Sequence, residues 1–222
     1  QLNGYYYLKS LGIGYHFYQG KYTTAIMDIL NTDKKTILHI PNVNSGESTK
    51  DTHNEVDFIL DAFNRGAIAA VSEDKGKNLE GLPVLAVNDA YEALNKLALA
   101  ARKRCHAKII GVTGSVGKTS IKDAIGKLLT AQGRTFYSPN SYNNHIGVPL
   151  SLAQIPIETE FAILELGMNH AGEIKLLSEM VKPDIAIISN IEPVHIEFFS
   201  SLEAIAMAKA EIFQGLKSDG VA

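Results

Sequence analysis

The run Ile109-Ile110-Gly111-Val112-Thr113-Gly114-Ser115-Val116-Gly117-Lys118-Thr119-Ser120 constrains this chain more than any other segment. An apolar stretch of strand length enters a glycine-rich turn, and the turn ends in Gly-Lys-Thr at the head of a helical pattern. Such a turn makes a nest of backbone N–H groups that can surround phosphate oxygens. The helix that follows adds the positive end of its dipole. Lys118 can reach the terminal phosphates of a nucleoside triphosphate, and the Thr119 hydroxyl can bind Mg2+. The loop departs from the spacing G-x-x-x-x-G-K-[ST], because Val112 stands where that spacing needs glycine. It fits the tighter T-G-x-x-G-K-T-S, from Thr113 to Ser120. A chance Gly-Lys-Thr in a helix-capping loop is the bland alternative, and the order strand, turn, helix argues against it.

A chain of 222 residues, 45% of them hydrophobic and 20% charged, has room for one large domain or two small ones around a real core. The net charge of −3 gives no reason to expect a nucleic-acid partner. Arg102-Lys103-Arg104 is read as the solvated end of a helix. No apolar stretch reaches the about 20 residues of a membrane span, and Cys105 stands alone, so neither an internal disulfide nor a cysteine metal cluster is expected. A cytoplasmic setting fits these features; a monomer is expected, although no feature of the sequence fixes the oligomeric state.

Two units are legible. In the first, Thr36–Ile40 reads as a strand, Asn42–Asn54 as a loop, and Val56–Asn64 as a helix. Ala67–Val71 and Pro83–Val87 read as strands, and Asp89 as the cap of a helix running through Leu94, Leu97 and Leu99. Residues 1–35 are tyrosine-rich and resist assignment. In the second unit, strands are expected at 108–113, 134–137, 161–166 and 184–189, and helices at 118–131, 172–181 and 202–216. Continuous apolar strands such as Phe161-Ala162-Ile163-Leu164 indicate a parallel sheet covered on both faces. The fold class is α/β: a small N-terminal α/β domain over 1–106, then a P-loop, mostly parallel-sheet ATPase domain over 107–222, truncated at its C-terminal end. Gly220-Val221-Ala222 reads as a turn into another strand, as in a piece of a longer enzyme.

Ligands of open parallel sheets bind beyond the carboxyl ends of the strands. Three strands here end in polar groups: the phosphate loop, Glu165-Leu166-Gly167-Met168-Asn169-His170, and Ser189-Asn190-Ile191-Glu192-Pro193-Val194-His195. If the strands are parallel neighbours, all three sets share one rim. Glu165 follows four apolar residues, where a carboxylate is costly unless paired or bound to metal, and Mg2+ favours such oxygens. The alternative is a surface glutamate just past the strand. His195 could be a metal ligand or a proton-transfer group, although a lone loop histidine is more often structural. Asn140 to Pro149 is a further polar cluster whose amides can hold phosphate or substrate without adding charge. Lys209, beside Ile205 and Ile212, would by itself be a snorkelling lysine.

Four stretches together resemble the Mur ligase family, ATP-dependent enzymes that extend the peptidoglycan stem peptide: Thr113–Ser120, Asn140–Pro149, Glu165–Glu173 and Asn190–Glu211. The resemblance covers 108–222 well. It implies that Gly114, Ser115, Val116, Gly117, Lys118, Thr119 and Ser120 bind ATP, with Lys118 on the β- and γ-phosphates. It implies Mg2+ at Thr119, Glu165, His195 and Lys209, with Lys118, His195 and Lys209 serving catalysis. Lys209 matches the family's carbamylated lysine. Asn143, Asn144, Asn169 and His170 match positions lining the nucleotide and substrate site. The Gly-Ser-Val loop and the run E-L-G-M-N-H-A-G-E-I point to UDP-N-acetylmuramoyl-tripeptide and D-alanyl-D-alanine as substrates, joined through an acyl phosphate. The first unit would bind the UDP end, although it lacks the Asp-Ser-Arg element expected there and residues 51–59 echo the family's D-G-H-D-F-I loop loosely. The family's third domain is absent, so this stretch alone is not expected to be a competent ligase.

Other readings are a different Mur-type ligase, such as a folylpolyglutamate synthase relative, and a non-catalytic nucleotide-binding module. A Rossmann dinucleotide site is weaker, because Gly111, Gly114 and Gly117 are spaced evenly by three rather than as G-x-G-x-x-G.

Overall fold

The structure, a computed structural model, describes residues 6–10, 13–17, 22–27, 35–41, 55–64, 67–73, 81–138, 141–194 and 198–222. The chain divides into two compact units, Gln1–Leu97 and Ala98–Ala222.

In the first unit, strands β1 (Tyr6–Ser10) and β2 (Ile13–Phe17) form an antiparallel pair within the stretch that resists assignment from sequence. A separate sheet has the order β3 (Tyr22–Met27), β4 (Lys35–Pro41), β5 (Ala67–Ser72), β6 (Val84–Ala86). β3 runs antiparallel to β4, and the other pairs are parallel. Helix α1 (Glu55–Asn64) buries Ile59 and Ala62 with Ala70 of β5. The loop expected at 42–54 lies outside the described residues.

Helix α2 (Ala90–Arg104) starts as its sequence indicates: the Asp89 carboxylate accepts from Glu92 N–H at 2.8 Å. The division between units falls inside this helix, because Ala98 belongs to the core of the second unit. Its basic end is not simply solvated. Arg102 donates to the carbonyls of Val181, Lys182 and Cys105 at 2.6, 3.0 and 3.2 Å. It thereby satisfies carbonyls that the end of a later helix leaves open.

The second unit is built on a four-stranded sheet in the order β10 (Ile185–Ile188), β7 (Lys108–Thr113), β9 (Phe161–Glu165), β8 (Thr135–Tyr137). All three pairings are parallel. Side chains alternate across β7 and β9. Ile109, Ala162 and Leu164 enter one core with residues of helices α4 (Gly147–Ala153) and α5 (Glu173–Val181). Ile110, Val112 and Ile163 enter the other with Ile121, Ile125 and Leu129 of α3 (Lys118–Thr130). Burial on both faces explains why these strands read as unbroken apolar runs. Val221 makes a parallel bridge to Ile185, beside β10. Helix α6 (Leu202–Ala210) is capped by Ser201 and continues as a single 3-10 turn, Glu211–Gln214, so the helix expected to 216 tightens before its end. Among the described residues no helix is long and apolar enough to cross a membrane.

The register sets the rim. Val112 pairs with Glu165, and Thr113 with Ile188. The three polar strand ends therefore emerge side by side, as their order in the sheet requires.

Candidate functional site

The glycine turn connects β7 to α3 with two residues in the left-handed region: Gly114 at φ 149° and Gly117 at φ 81°. At Gly114 a Cβ would also collide with the Ser189 hydroxyl, so only glycine fits. The N–H groups of Gly117, Lys118, Thr119 and Ser120 meet no acceptor among the described residues. Helix α3 thus presents open donors and its positive end together.

Lys118 folds back over the turn, and its Nζ donates to the carbonyls of Gly114 and Ser115 at 2.6 and 3.1 Å. Burial lowers its pKa, against the raising effect of the Glu165 carboxylate nearby. Glu165 is buried, 1% exposed. Its two oxygens accept from neutral donors, the Thr119 hydroxyl and the Asn143 amide, each at 2.7 Å. Among the described residues no ammonium or guanidinium lies within ion-pair distance of it. The surface alternative for this carboxylate is therefore set aside.

Asn143 arrives from the polar cluster before α4. Gly167 N–H donates to its carbonyl at 2.7 Å, and a Cβ at Gly167 would lie 2.8 Å from its side chain. The close passage of the two loops aims the amide at Glu165. Asn144 does different work: its Oδ1 accepts from Ile146 and Gly147 N–H at 3.1 and 2.8 Å, capping α4.

Lys209 does not snorkel; it is 4% exposed. Burial, and then the neighbouring positive charge of Lys118, push its pKa down to about 8. No hydrogen bond or ion pair holds it among the described residues. The helix that carries it is pinned by Glu211, whose carboxylate accepts from Gly172 and Lys175 N–H at 2.7 and 3.1 Å at the start of α5. Asn169 and His170 stand at the same helix start. Both backbone N–H groups donate to the Glu173 carboxylate, and the His170 ring packs 5.1 Å from Phe198. No bond among the described residues links Asn169 or His170 to the glycine turn. His195 and Asn140 lie outside the described residues.

The structure thus brings together the turn from Gly114 to Ser120, Asn143, Glu165 and Lys209. Reading the sequence named Asn190 only as part of a polar strand end and gave it no role; its side-chain oxygen accepts from Ser115 and Val116 N–H at 3.2 and 3.0 Å. Its one signal was its place immediately beyond β10. The arrangement is cationic at two lysines and holds one buried carboxylate beside open N–H donors, which suits a polyanion accompanied by a cation. The oxygens of Thr119 and Glu165 form a hard donor set. Among the described residues there is no cluster of three or more His, Cys, Asp or Glu side chains. So sparse a set fits Mg2+, which binds through one or two carboxylates with phosphate oxygens and water.

Known proteins match this chain as follows. The Mur ligase middle domain matches residues 112–222. A UDP-N-acetylmuramoyl-tripeptide–D-alanyl-D-alanine ligase of Rickettsia prowazekii is 43% identical over 176 residues, 79% of this chain and 38% of that protein. The MurF ligase of Thermotoga maritima, solved in complex with ADP, superposes with a TM-score of 0.64 at 31% identity, over 78% of this chain and 40% of that one. A putative ATP-dependent helicase of Bacillus subtilis is 62% identical over 76 residues, 34% of this chain and 12% of that protein. The chain spans 38–40% of the length of the two ligases.

Proposed function

Because the chain belongs to the Mur ligase family, we propose that the protein is an ATP-dependent ligase of peptidoglycan synthesis, adding D-alanyl-D-alanine to a UDP-N-acetylmuramoyl-tripeptide. The observation that carries this reading is the bonded set Thr119–Glu165–Asn143 at the mouth of the glycine turn, with Lys118 and Lys209 beside it. The Rickettsia relative is named for the same two substrates, and the ADP held by the Thermotoga ligase supports a nucleotide at the glycine turn. The first unit is assigned the UDP end of the nucleotide substrate.

In this reading the turn receives the triphosphate on the N–H groups of Gly117 to Ser120, and Lys118 swings from the Gly114 carbonyl to the β- and γ-phosphates. The tripeptide's terminal carboxylate attacks the γ-phosphorus, ADP leaves, and an acyl phosphate forms. The amine of D-alanyl-D-alanine attacks the acyl carbon, an amide forms, and phosphate leaves with a proton lost from nitrogen. Both steps crowd anions together, so positioning and charge compensation supply most of the rate. Thr119 and Glu165 would hold Mg2+, with His195 and Lys209 at a second site; the metal supplies positive charge to the crowded phosphates. Asn143 holds the Glu165 carboxylate in place.

Lys209 is suited to carbamylation. With a pKa of about 8, about a tenth of its amine is neutral at pH 7. The neutral amine adds to CO2 and releases a proton, leaving a carbamate anion. That anion relieves the repulsion between Lys209 and Lys118.

The test uses the full-length protein with ATP, UDP-N-acetylmuramoyl-tripeptide and D-alanyl-D-alanine, and follows phosphate and the amide product. Lys118→Ala lowers product formation by about 1000-fold with an unchanged circular dichroism spectrum. Lys209→Ala loses activity that short carboxylic acids partly restore. Retained turnover in the first variant refutes the role of Lys118, and retained turnover in the second removes the carbamate.

A further inference from the structure

The first half of the glycine turn is already occupied from within the chain. Asn190 Oδ1 accepts from the N–H groups of Ser115 and Val116 at 3.2 and 3.0 Å, and the Asn190 carbonyl also accepts from Ser115 N–H at 3.1 Å. The Ser115 hydroxyl donates to the Glu192 carbonyl at 2.9 Å and accepts from the Glu192 N–H at 2.8 Å. The Ser189 hydroxyl donates to the Val116 carbonyl at 2.9 Å. By contrast, the N–H groups of Gly117 to Ser120 meet no acceptor among the described residues. One turn therefore has a closed half and an open half.

We propose that Asn190 is a positioning residue for the nucleotide: its carboxamide clamps Ser115 and Val116 permanently, so that phosphate is received only by the N–H groups of Gly117 to Ser120. This rests on the nucleotide reading given above. Three observations carry the clamp. Displacing Asn190 would break its bonds to two N–H groups, and the reciprocal pair between Ser115 and Glu192 resists that movement. Ser115 is 8% exposed, so its bonds to Asn190 and Glu192 are shielded from solvent, while Val116 beside it is half exposed and keeps its bond to Asn190 at the surface. The acceptor is also neutral. An amide oxygen satisfies both donors without setting a negative charge beside the phosphates, which an aspartate of the same shape would do. A turn held in its bound shape spends less affinity on ordering.

Hydrogen–deuterium exchange, read residue by residue on the full-length protein with and without ADP, tests the clamp. Without ADP, the amides of Ser115 and Val116 exchange at least about tenfold more slowly than those of Gly117 to Ser120. ADP then slows only the second group. Exchange of Ser115 and Val116 as fast as their neighbours, slowing only with ADP, overturns the clamp. Protection of Ser115 and Val116 with no response of Gly117 to Ser120 to ADP leaves the bonds standing, but it refutes the nucleotide reading and with it the positioning role. Asn190→Asp keeps both acceptor bonds, and so keeps Ser115 and Val116 protected, while it weakens ADP binding about tenfold or more. Unchanged ADP affinity in that variant overturns the proposal.

Discussion

Two buried carboxylates stand at opposite ends of the parallel strands of the second sheet, and they are treated differently. Asp184, at the end where β10 begins, is 7% exposed and fully compensated. It accepts from Ile109 N–H at 2.8 Å and from the ammonium groups of Lys217 and Lys108 at 2.8 and 3.3 Å. Burial raises its pKa, but the hydrogen bond from Ile109 and the bond and charge of Lys217, with Lys108, outweigh it and leave the pKa lowered. Glu165, at the carboxyl end of β9, receives a hydroxyl and an amide and no cation among the described residues. A buried anion given cations is a fastener. One given only neutral donors has acceptor capacity left for something that arrives later.

The largest effect that could break this comparison comes from Glu165→Gln. The full-length protein is expected to lose about 100-fold or more in kcat/KM, while its thermal midpoint holds or rises, because an under-compensated buried charge is gone. A midpoint that falls sharply with little loss of activity would make Glu165 a fastener too. Asp184→Ala should do the reverse. It removes one backbone and two charge-assisted hydrogen bonds, a loss of about 2–3 kcal/mol in urea unfolding, with turnover close to that of the parent. The sign with pH follows from the lowered folded pKa. The contribution of Asp184 is complete above its unfolded value of 3.8 and disappears as pH falls through the folded value. An equal loss at pH 7 and below pH 2 would contradict it.

The smallest expected effect sharpens the same contrast at Lys209. Its pKa falls from 10.5 to about 8 on folding. In CO2-free buffer, where no carbamate forms, the residue is charged in both states below pH 8, so the folded state bears the whole cost of the buried ammonium. Between pH 8 and 10.5 the unfolded chain holds more protons, and stability rises with pH. Lys209→Met should therefore raise the unfolding midpoint at pH 7, with a gain that shrinks toward pH 10.5. A gain that does not change with pH would show that packing alone is responsible.

Much of this was legible because it is local. β7, β9 and β10 are short apolar runs between polar punctuation, and α3 follows the glycine turn with apolar residues at helical spacing. Helix α4 was not legible. Every residue from Gly147 to Ala153 is buried, so no polar face marks a period, and Pro149 reads as a breaker although it sits in the first turn, where its missing N–H costs nothing. Within the site, Lys118, Thr119 and Glu165 carry their own chemistry in their motifs. Asn190 carries none, because what it does depends on donors 74 and 75 positions earlier. Glu211 is the same case, since it caps a helix that starts well before it in the chain.

Residue types alone determined that a glycine turn with Gly114 and Gly117 would leave N–H groups pointing outward, and that parallel apolar strands would gather their polar ends on one rim. Backbone sterics and the period of side chains along a strand act between neighbours, so they can be read in one dimension. Tertiary structure alone decided which carboxylate receives lysines, that Lys209 is shut away from water beside Lys118, and that half of the phosphate turn is already closed. Charge compensation and desolvation depend on distances between groups remote in the chain, and only the packed molecule sets those distances.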